Sequence, residues 1–171
     1  MSTTDRNQIA KLIDGDLQWE ELRNDVLPDP KDGQRFEVTR EILQDRVDWD
    51  EPILVPLNDH LFAVGTDDGR IVKGECGHEF GPLEDNWKTE CQIRVRESEE
   101  EMRDLYPKWM TPDPDWTFQL REFFCPECYA LLDVDAVPAG YPVLKPFEPD
   151  IDVFYEEWLG EPAPDATEAS Q

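Results

Sequence analysis

The chain has 171 residues, enough for one hydrophobic core or a core with an added lobe, and too few for a multidomain machine. Apolar residues make up 39% and aromatics 11%, with six Trp, which is too much packing surface for a disordered chain even with 33% of residues charged. Acids outnumber Lys and Arg by 41 to 16, a formal charge of -25, so nucleic acid is strongly disfavoured as a partner: no basic stripe exists to displace counterions from phosphates.

The first forty-odd residues read as short amphipathic helices. Ile9, Leu12 and Ile13 follow a three-to-four residue spacing that stops at Gly15, and Trp19, Leu22 and Val26 repeat it until Pro28. After a turn-rich stretch to Gly33, a third helical segment places Phe36, Leu43 and Val47 on one face. From Pro52 the pattern turns to strands, Ile53 to Leu57 and Leu61 to Gly65, the second joined through Thr66-Asp67-Asp68-Gly69 to Arg70-Ile71-Val72 as a hairpin. Cys91, Ile93 and Val95 alternate with Gln92, Arg94 and Arg96, which predicts a one-sided strand. Ser98 with Glu101 is a capping box for a helix carrying Met102, Leu105 and Tyr106, broken at Pro107. Pro112-Asp113-Pro114 is a loop; Trp116, Phe118 and Leu120 alternate into a further strand, and Leu131 to Val137 follows as another. Asp150 caps a last helix with Ile151, Phe154, Tyr155 and Trp158 on one face, stopped at Gly160.

The acids are dispersed along the chain instead of forming one block. At physiological salt such a surface repels itself, whereas molar salt shortens the Debye length to ~3 Å and removes the repulsion, so the expected source is a salt-accumulating halophile. No run approaches the ~18 apolar residues of a membrane span, and Asp5, Arg6 and Lys11 fall where a signal peptide needs an apolar stretch. The expectation is a cytoplasmic protein with no membrane partner.

The four Cys and two His carry the chemistry. Without an export signal, metal or redox use is favoured over disulfides. Cys125-Pro126-Glu127-Cys128 has the spacing that lets both thiolates reach one tetrahedral ion, following a strand as a zinc-ribbon knuckle does. Cys76-Gly77-His78 after the hairpin supplies the other half. Cys76, His78, Cys125 and Cys128 together make a Cys3His set suited to structural zinc. The alternative for His78 is a knuckle-flanking residue that hydrogen-bonds a carbonyl. Cys91 reads as a small buried hydrophobe, and as the substitute ligand if His78 points away; His60 reads as a loop histidine. A redox role for Cys125 and Cys128 would want a helix start, and here a strand runs in and another runs out. No nucleophile elbow, phosphate loop or His-Glu-x-x-His is present, and the acidic pairs read as solvated surface.

A longer set of residues carries a family resemblance. Cys76-Gly77-His78-Glu79-Phe80, Asn86-Trp87-Lys88, Val95-Arg96, Met102-Arg103, Tyr106-Pro107, Asp113-Pro114-Asp115-Trp116, Leu120-Arg121-Glu122-Phe123, the Cys125 to Cys128 knuckle, Tyr141-Pro142-Val143 and Pro149-Asp150-Ile151 resemble, in order and spacing, the small gamma-type subunits of acetone carboxylase and its acetophenone carboxylase relatives. The N-terminal stretch looks like the acetone carboxylase form, in Pro30-Lys31-Asp32, Arg35-Phe36, Glu41 to Gln44 and Trp49-Asp50. The resemblance implies a non-catalytic, zinc-holding subunit of a hetero-oligomer. Large alpha- and beta-type subunits would use ATP to join a ketone to bicarbonate, acetone giving acetoacetate. In similar proteins a further Cys stands two positions before the one matching Cys76; here that position is Gly74, so this chain uses His78 or holds zinc less completely.

The expected fold is α+β: an N-terminal helical arm over 1–50, a zinc-ribbon-like domain over 51–160 with a small antiparallel sheet and a C-terminal helix, and a disordered acidic tail over 161–171. Six Trp, eight Phe and fifteen Pro fit extended arms that bury aromatics on a partner, or a core filled by the chain itself. The function expected first is the structural subunit of an ATP-dependent ketone carboxylase. The alternative is a stand-alone zinc-ribbon adaptor of a transcription or translation assembly. An iron–sulfur carrier would need Cys91 in the site as a fourth thiolate.

Overall fold

The computed structural model describes residues 5–26, 33–105 and 118–164. The turn expected over 28–32, Tyr106, the break at Pro107, the Pro112–Pro114 loop, Trp116 and the end of the acidic tail lie outside these residues.

The chain is α+β, as its two hydrophobic periods predict. The helices are α1 (Arg6–Ile13), α2 (Trp19–Glu21), continued by a π-turn over Leu22–Val26, α3 (Gly33–Gln44), α4 (Glu99–Arg103) and α5 (Ile151–Val153), continued by a π-turn over Phe154–Leu159. The strands are β1 (Ile53–Pro56), β2 (Leu61–Thr66), β3 (Gly69–Gly74), β4 (Glu79–Pro82), β5 (Gln92–Arg96), β6 (Phe118–Phe124) and β7 (Leu131–Pro138). They form two sheets where one was expected, with orders β1-β2-β3-β4 and β5-β6-β7. The added strand is β4; a 3-10 turn over Trp87–Glu90, capped by Asn86, breaks the chain before β5 and so separates the sheets.

By contacts the chain divides into two compact units. The first comprises Met1–Pro56, Ala63–Arg70 and Pro149–Gln171, and the second Leu57–Phe62 and Ile71–Glu148.

In the first unit the sequence signals at helix ends are met by hydrogen bonds. Asp5 accepts the Asn7 N–H at 2.9 Å to start α1, and the Asp150 carboxylate accepts the Val153 N–H at 3.1 Å to start α5. Gly160, at φ 78°, closes the last turn with its N–H on the Tyr155 carbonyl at 2.9 Å. Helix α3 stops at Gln44, short of Val47, because the chain folds back over the Gln44 amide. Its Oε1 accepts the Ile53 N–H at 2.8 Å and its Nε2 donates to the carbonyls of Trp49 and Glu51 at 3.4 and 3.3 Å. The core here is Ile9, Ile42, Ile53, Leu54, Ala63, Val64, Ile151 and Tyr155. Tyr155 is buried, and its hydroxyl donates to the Leu54 carbonyl at 2.8 Å, so the ring carries no unpaired polar atom inward. Phe36 stands edge-on to Phe154 and Trp158, with centroids 4.9 and 6.2 Å away, which absorbs part of the aromatic excess internally.

In the second unit the β5-β6-β7 sheet is antiparallel, with Arg94 opposite Glu122 and Glu122 opposite Val134. The one-sided character expected of β5 is reversed at its end. Ile93 and Val95 remain over a third exposed, whereas Arg96 is 5% exposed. Arg96 is covered because it is paired: its Nε donates to Glu122 Oε2 at 2.7 Å and its Nη1 to the Glu101 carbonyl at 3.1 Å. On the other face of this sheet Lys88, 1% exposed, sends its ammonium between Asp133 at 2.7 Å and Asp135 at 2.8 Å, over the Phe123 ring at 4.6 Å. Asp133 and Asp135 are two apart on β7 and so share that face.

Candidate metal centre

Two hairpin turns of the second unit deliver the cysteines. The turn between β3 and β4 carries Cys76, and the turn between β6 and β7 carries Cys125 and Cys128. The two turns repeat one local pattern. In the first, Cys76 is followed by Gly77 at φ 90°, and the His78 N–H donates to the Cys76 sulfur. In the second, Cys128 is followed by Tyr129 at φ 61°, and the Ala130 N–H donates to the Cys128 sulfur. A left-handed residue after the cysteine is what turns the next amide back onto the sulfur. Glycine adopts that conformation freely, and Tyr129, which is exposed, does so against the steric preference of an L-residue. Backbone bonds close both turns: the Gly74 N–H to the His78 carbonyl at 2.8 Å, and the Cys125 N–H to the Ala130 carbonyl at 2.9 Å.

The three sulfurs of Cys76, Cys125 and Cys128 lie within 4.8 Å of one another, with Cys76 and Cys125 at 3.7 Å. Tetrahedral zinc with Zn–S bonds of about 2.3 Å places its sulfurs about 3.8 Å apart, so this spacing suits such an ion. The electrostatics point the same way. Burial, reinforced by the neighbouring sulfurs and opposed by the His78 N–H, pushes the Cys76 thiol up to about 11. Burial also pushes Cys128 up, but the Ala130 N–H and hydrogen bonds from the other two sulfurs outweigh it and bring this thiol below its ordinary value. Holding all three sulfurs as thiolates side by side would require a cation, which a metal ion could supply. The group can hold one.

Of the four residues nominated from sequence, these three are brought together and His78 stands apart. Its ring nitrogens do not join the group within 4.8 Å; the ring lies edge-on to Phe80 at 4.7 Å, and the residue meets Cys76 through its backbone. Cys91 is also outside the group. Its sulfur contacts the Trp87 carbonyl at 3.6 Å, and burial, with the nearby Cys125 next, pushes its thiol up to about 12, as befits a packing residue. Cys125 and Cys128 sit between two strands and not at a helix start, the context that argued against a redox pair.

A cavity of about 190 Å³ opens on the sulfurs, lined by His60, Gly74, Glu75, the three cysteines, Ala130 and Leu132. Sequence reasoning left His60 and Glu75 out. The signal was present in the hairpin it did identify. Counting outward one residue per strand from Thr66 and Gly69 sets His60 opposite Glu75, where the Glu75 N–H meets the His60 carbonyl at 3.0 Å.

A family model described as acetone carboxylase gamma subunit matches residues 47–159 of the chain. The acetone carboxylase gamma subunit of Xanthobacter autotrophicus (strain ATCC BAA-1158 / Py2) is 43% identical over 166 residues, which cover 96% of this chain and 98% of that protein.

Proposed function

The chain belongs to the acetone carboxylase gamma subunit family, and from that premise we propose that it is the non-catalytic, zinc-holding subunit of an ATP-dependent heteromeric ketone carboxylase. In this reading large alpha- and beta-type subunits carry out the ligation of a ketone to bicarbonate, acetone giving acetoacetate, and this chain contributes structure. The observation that carries the subunit role is the match to an acetone carboxylase gamma subunit over nearly the full length of both chains. The zinc assignment rests on the triangle of Cys76, Cys125 and Cys128, whose soft donors and spacing suit that ion.

Exposed apolar side chains support a partner. Tyr141, Leu144 and Phe147, between 44% and 60% exposed, follow one another on the irregular stretch after β7. Asn86 and Lys145 fasten that stretch, by bonds of 2.9 Å to the Val143 carbonyl and 2.5 Å to the Leu83 carbonyl. Such residues on an ordered segment are what an obligate interface covers. No described helix is long and apolar enough to cross a membrane. A cytoplasmic, salt-adapted protein is the reading we take from the charge of -25.

The test is affinity purification of the tagged chain from its native host in molar salt, with metal analysis of the eluate. Two large co-purifying chains, ATP- and bicarbonate-dependent ketone consumption, and stoichiometric zinc that Cys125→Ser abolishes are the expected results. Elution alone, or with polymerase or ribosomal components, would overturn the carboxylase reading in favour of an adaptor. Full zinc retention by Cys125→Ser and Cys128→Ser would overturn the metal assignment.

A further inference from the structure

Three sulfurs leave a tetrahedral ion one ligand short, and the cavity opens directly on them. Gly74 forms part of its wall without a side chain: a Cβ there would stand 3.7 Å from the Cys76 sulfur and 3.4 Å from the Phe80 ring. Besides the cysteines, the side chains lining this cavity include two with a nitrogen or oxygen donor, His60 and Glu75. These two are already engaged with each other, His60 Nδ1 to Glu75 Oε2 at 2.9 Å.

We propose that His60 is the fourth ligand of the cysteine site, through Nε2, and that Glu75 is its orienting carboxylate. The proposal rests on the zinc reading above and adds to it a ligand that neither the knuckle spacing nor the family match assigns. A carboxylate that accepts the Nδ1–H of a neutral imidazole fixes the tautomer with a bare lone pair on Nε2, and metal-bound histidines are held in this way.

The backbone of His60 is fastened on both sides. Its N–H donates to Asn58 Oδ1 at 2.8 Å, and Asn58 in turn donates to the carbonyl of Leu132, another residue of the cavity wall, at 2.9 Å. Its carbonyl takes the N–H of Glu75, the residue next to Cys76. The ring nitrogens of His60 do not lie within 4.8 Å of all three sulfurs, so ligation requires the side chain to swing inward. Its side chain is 44% exposed, which leaves an open side for the movement. His78 does not line this cavity, and its ring packs edge-on against Phe80.

The experiment uses the full chain loaded with Zn(II), or with Co(II) as the spectroscopic stand-in, and compares His60→Ala, Glu75→Gln, His78→Ala and Cys125→Ser. Three readouts apply: metal affinity by competition with a chromophoric chelator, imidazole scattering in the zinc-edge absorption spectrum, and the visible Co(II) bands. The wild-type shell is expected to be three sulfurs and one imidazole. His60→Ala should lose the imidazole scattering, shift the Co(II) bands and weaken affinity, with Glu75→Gln keeping the imidazole at an affinity reduced on the order of 10- to 100-fold. His78→Ala should change none of these. Retention of the imidazole signal in His60→Ala, or its loss in His78→Ala instead, overturns the proposal. Zinc retained by Cys125→Ser is a separate result, which removes the metal site itself.

Discussion

Removal of Lys88 is expected to be costly, because it is a buried cation between two carboxylates. Its side chain is 2% exposed, and its ammonium meets two carboxylates at 2.7 and 2.8 Å. Lys88→Met keeps the aliphatic stem over Phe123 and deletes only the charge. The loss has three parts. The charge-assisted hydrogen bond to Asp135, worth about 1.5–3 kcal/mol, disappears together with the ion pair to Asp133. The cation over the Phe123 ring, 4.6 Å away, contributes on the order of 1 kcal/mol. Asp133 and Asp135 are then left as like charges on one strand face without their cation. Against this, the desolvation cost of burying the ammonium is recovered, and the two carboxylates, 34% and 25% exposed, can take up water. The net falls toward the low side of the ~3–5 kcal/mol seen when one partner of a fully buried pair is removed, so we expect about 3 kcal/mol. For a chain of this size that lowers Tm by about 6–12 °C. Urea denaturation of the metal-loaded chain measures it, with Lys88→Met/Asp133→Asn/Asp135→Asn as the comparison. The triple variant should recover much of the loss, because no uncompensated charge remains. A change below about 0.5 kcal/mol in Lys88→Met, or a triple variant no more stable than the single, would refute the assignment of this stability to the buried triad.

The two knuckles differ in the residue that carries positive φ, so Tyr129→Gly should stabilise the loaded chain by about 1 kcal/mol while Gly77→Ala destabilises it by about 1–2 kcal/mol, both read from thermal melts. Equal effects of the two substitutions would show that the turns are not equivalent. Because the formal charge is -25, Tm should rise steeply between dilute buffer and molar KCl, and a flat dependence would sink the salt-adapted reading. Chelation of the metal should abolish amide-exchange protection at residues 74–80 and 124–131 first, with the Phe36–Tyr155 cluster of the other unit protected longest; simultaneous loss everywhere would mean that the site underlies the whole fold.

What was legible in the sequence is what local chemistry determines. Ser98, Asp150 and Gly160 act on atoms a few residues away, and each does in the structure what its type predicts. The Cys125–Cys128 knuckle is legible for the same reason. Its partner Cys76 is legible because a hairpin signal precedes it. What was not legible depends on pairing between distant segments. Arg96 reads as the solvent side of an alternating strand until Glu122 is found beside it, 26 residues on. Lys88 reads as an ordinary surface lysine until β7 brings Asp133 and Asp135 to it, over 40 residues later. Strand β4 is too short and too glycine-rich to announce itself and exists because β3 offers it an edge. His78 shows the same limit: its nearness in sequence to Cys76 brings its backbone N–H onto that sulfur, while its ring lies edge-on to Phe80, which the sequence does not announce.

On the proposed reading, a metal at these cysteines would give the subunit a structural tie. Cys76 and Cys125 are 49 residues apart, and they belong to the turns of different sheets within one unit. Tying them through an ion removes from the unfolded chain the freedom of a loop of that length, worth about 4 kcal/mol by the chain-entropy account of cross-links. That is a large fraction of a domain's total stability, and with an ion in place it would offset the mutual repulsion of a dispersed acidic surface. The same tie holds the start of β7, from which the chain runs on to Tyr141, Leu144 and Phe147. Exposed side chains bind a partner well only if the backbone beneath them is ordered beforehand, since any ordering left to the moment of association is subtracted from affinity. A structural ion at the far end of that strand would do that ordering in advance, together with the Asn86 and Lys145 bonds along the stretch that follows.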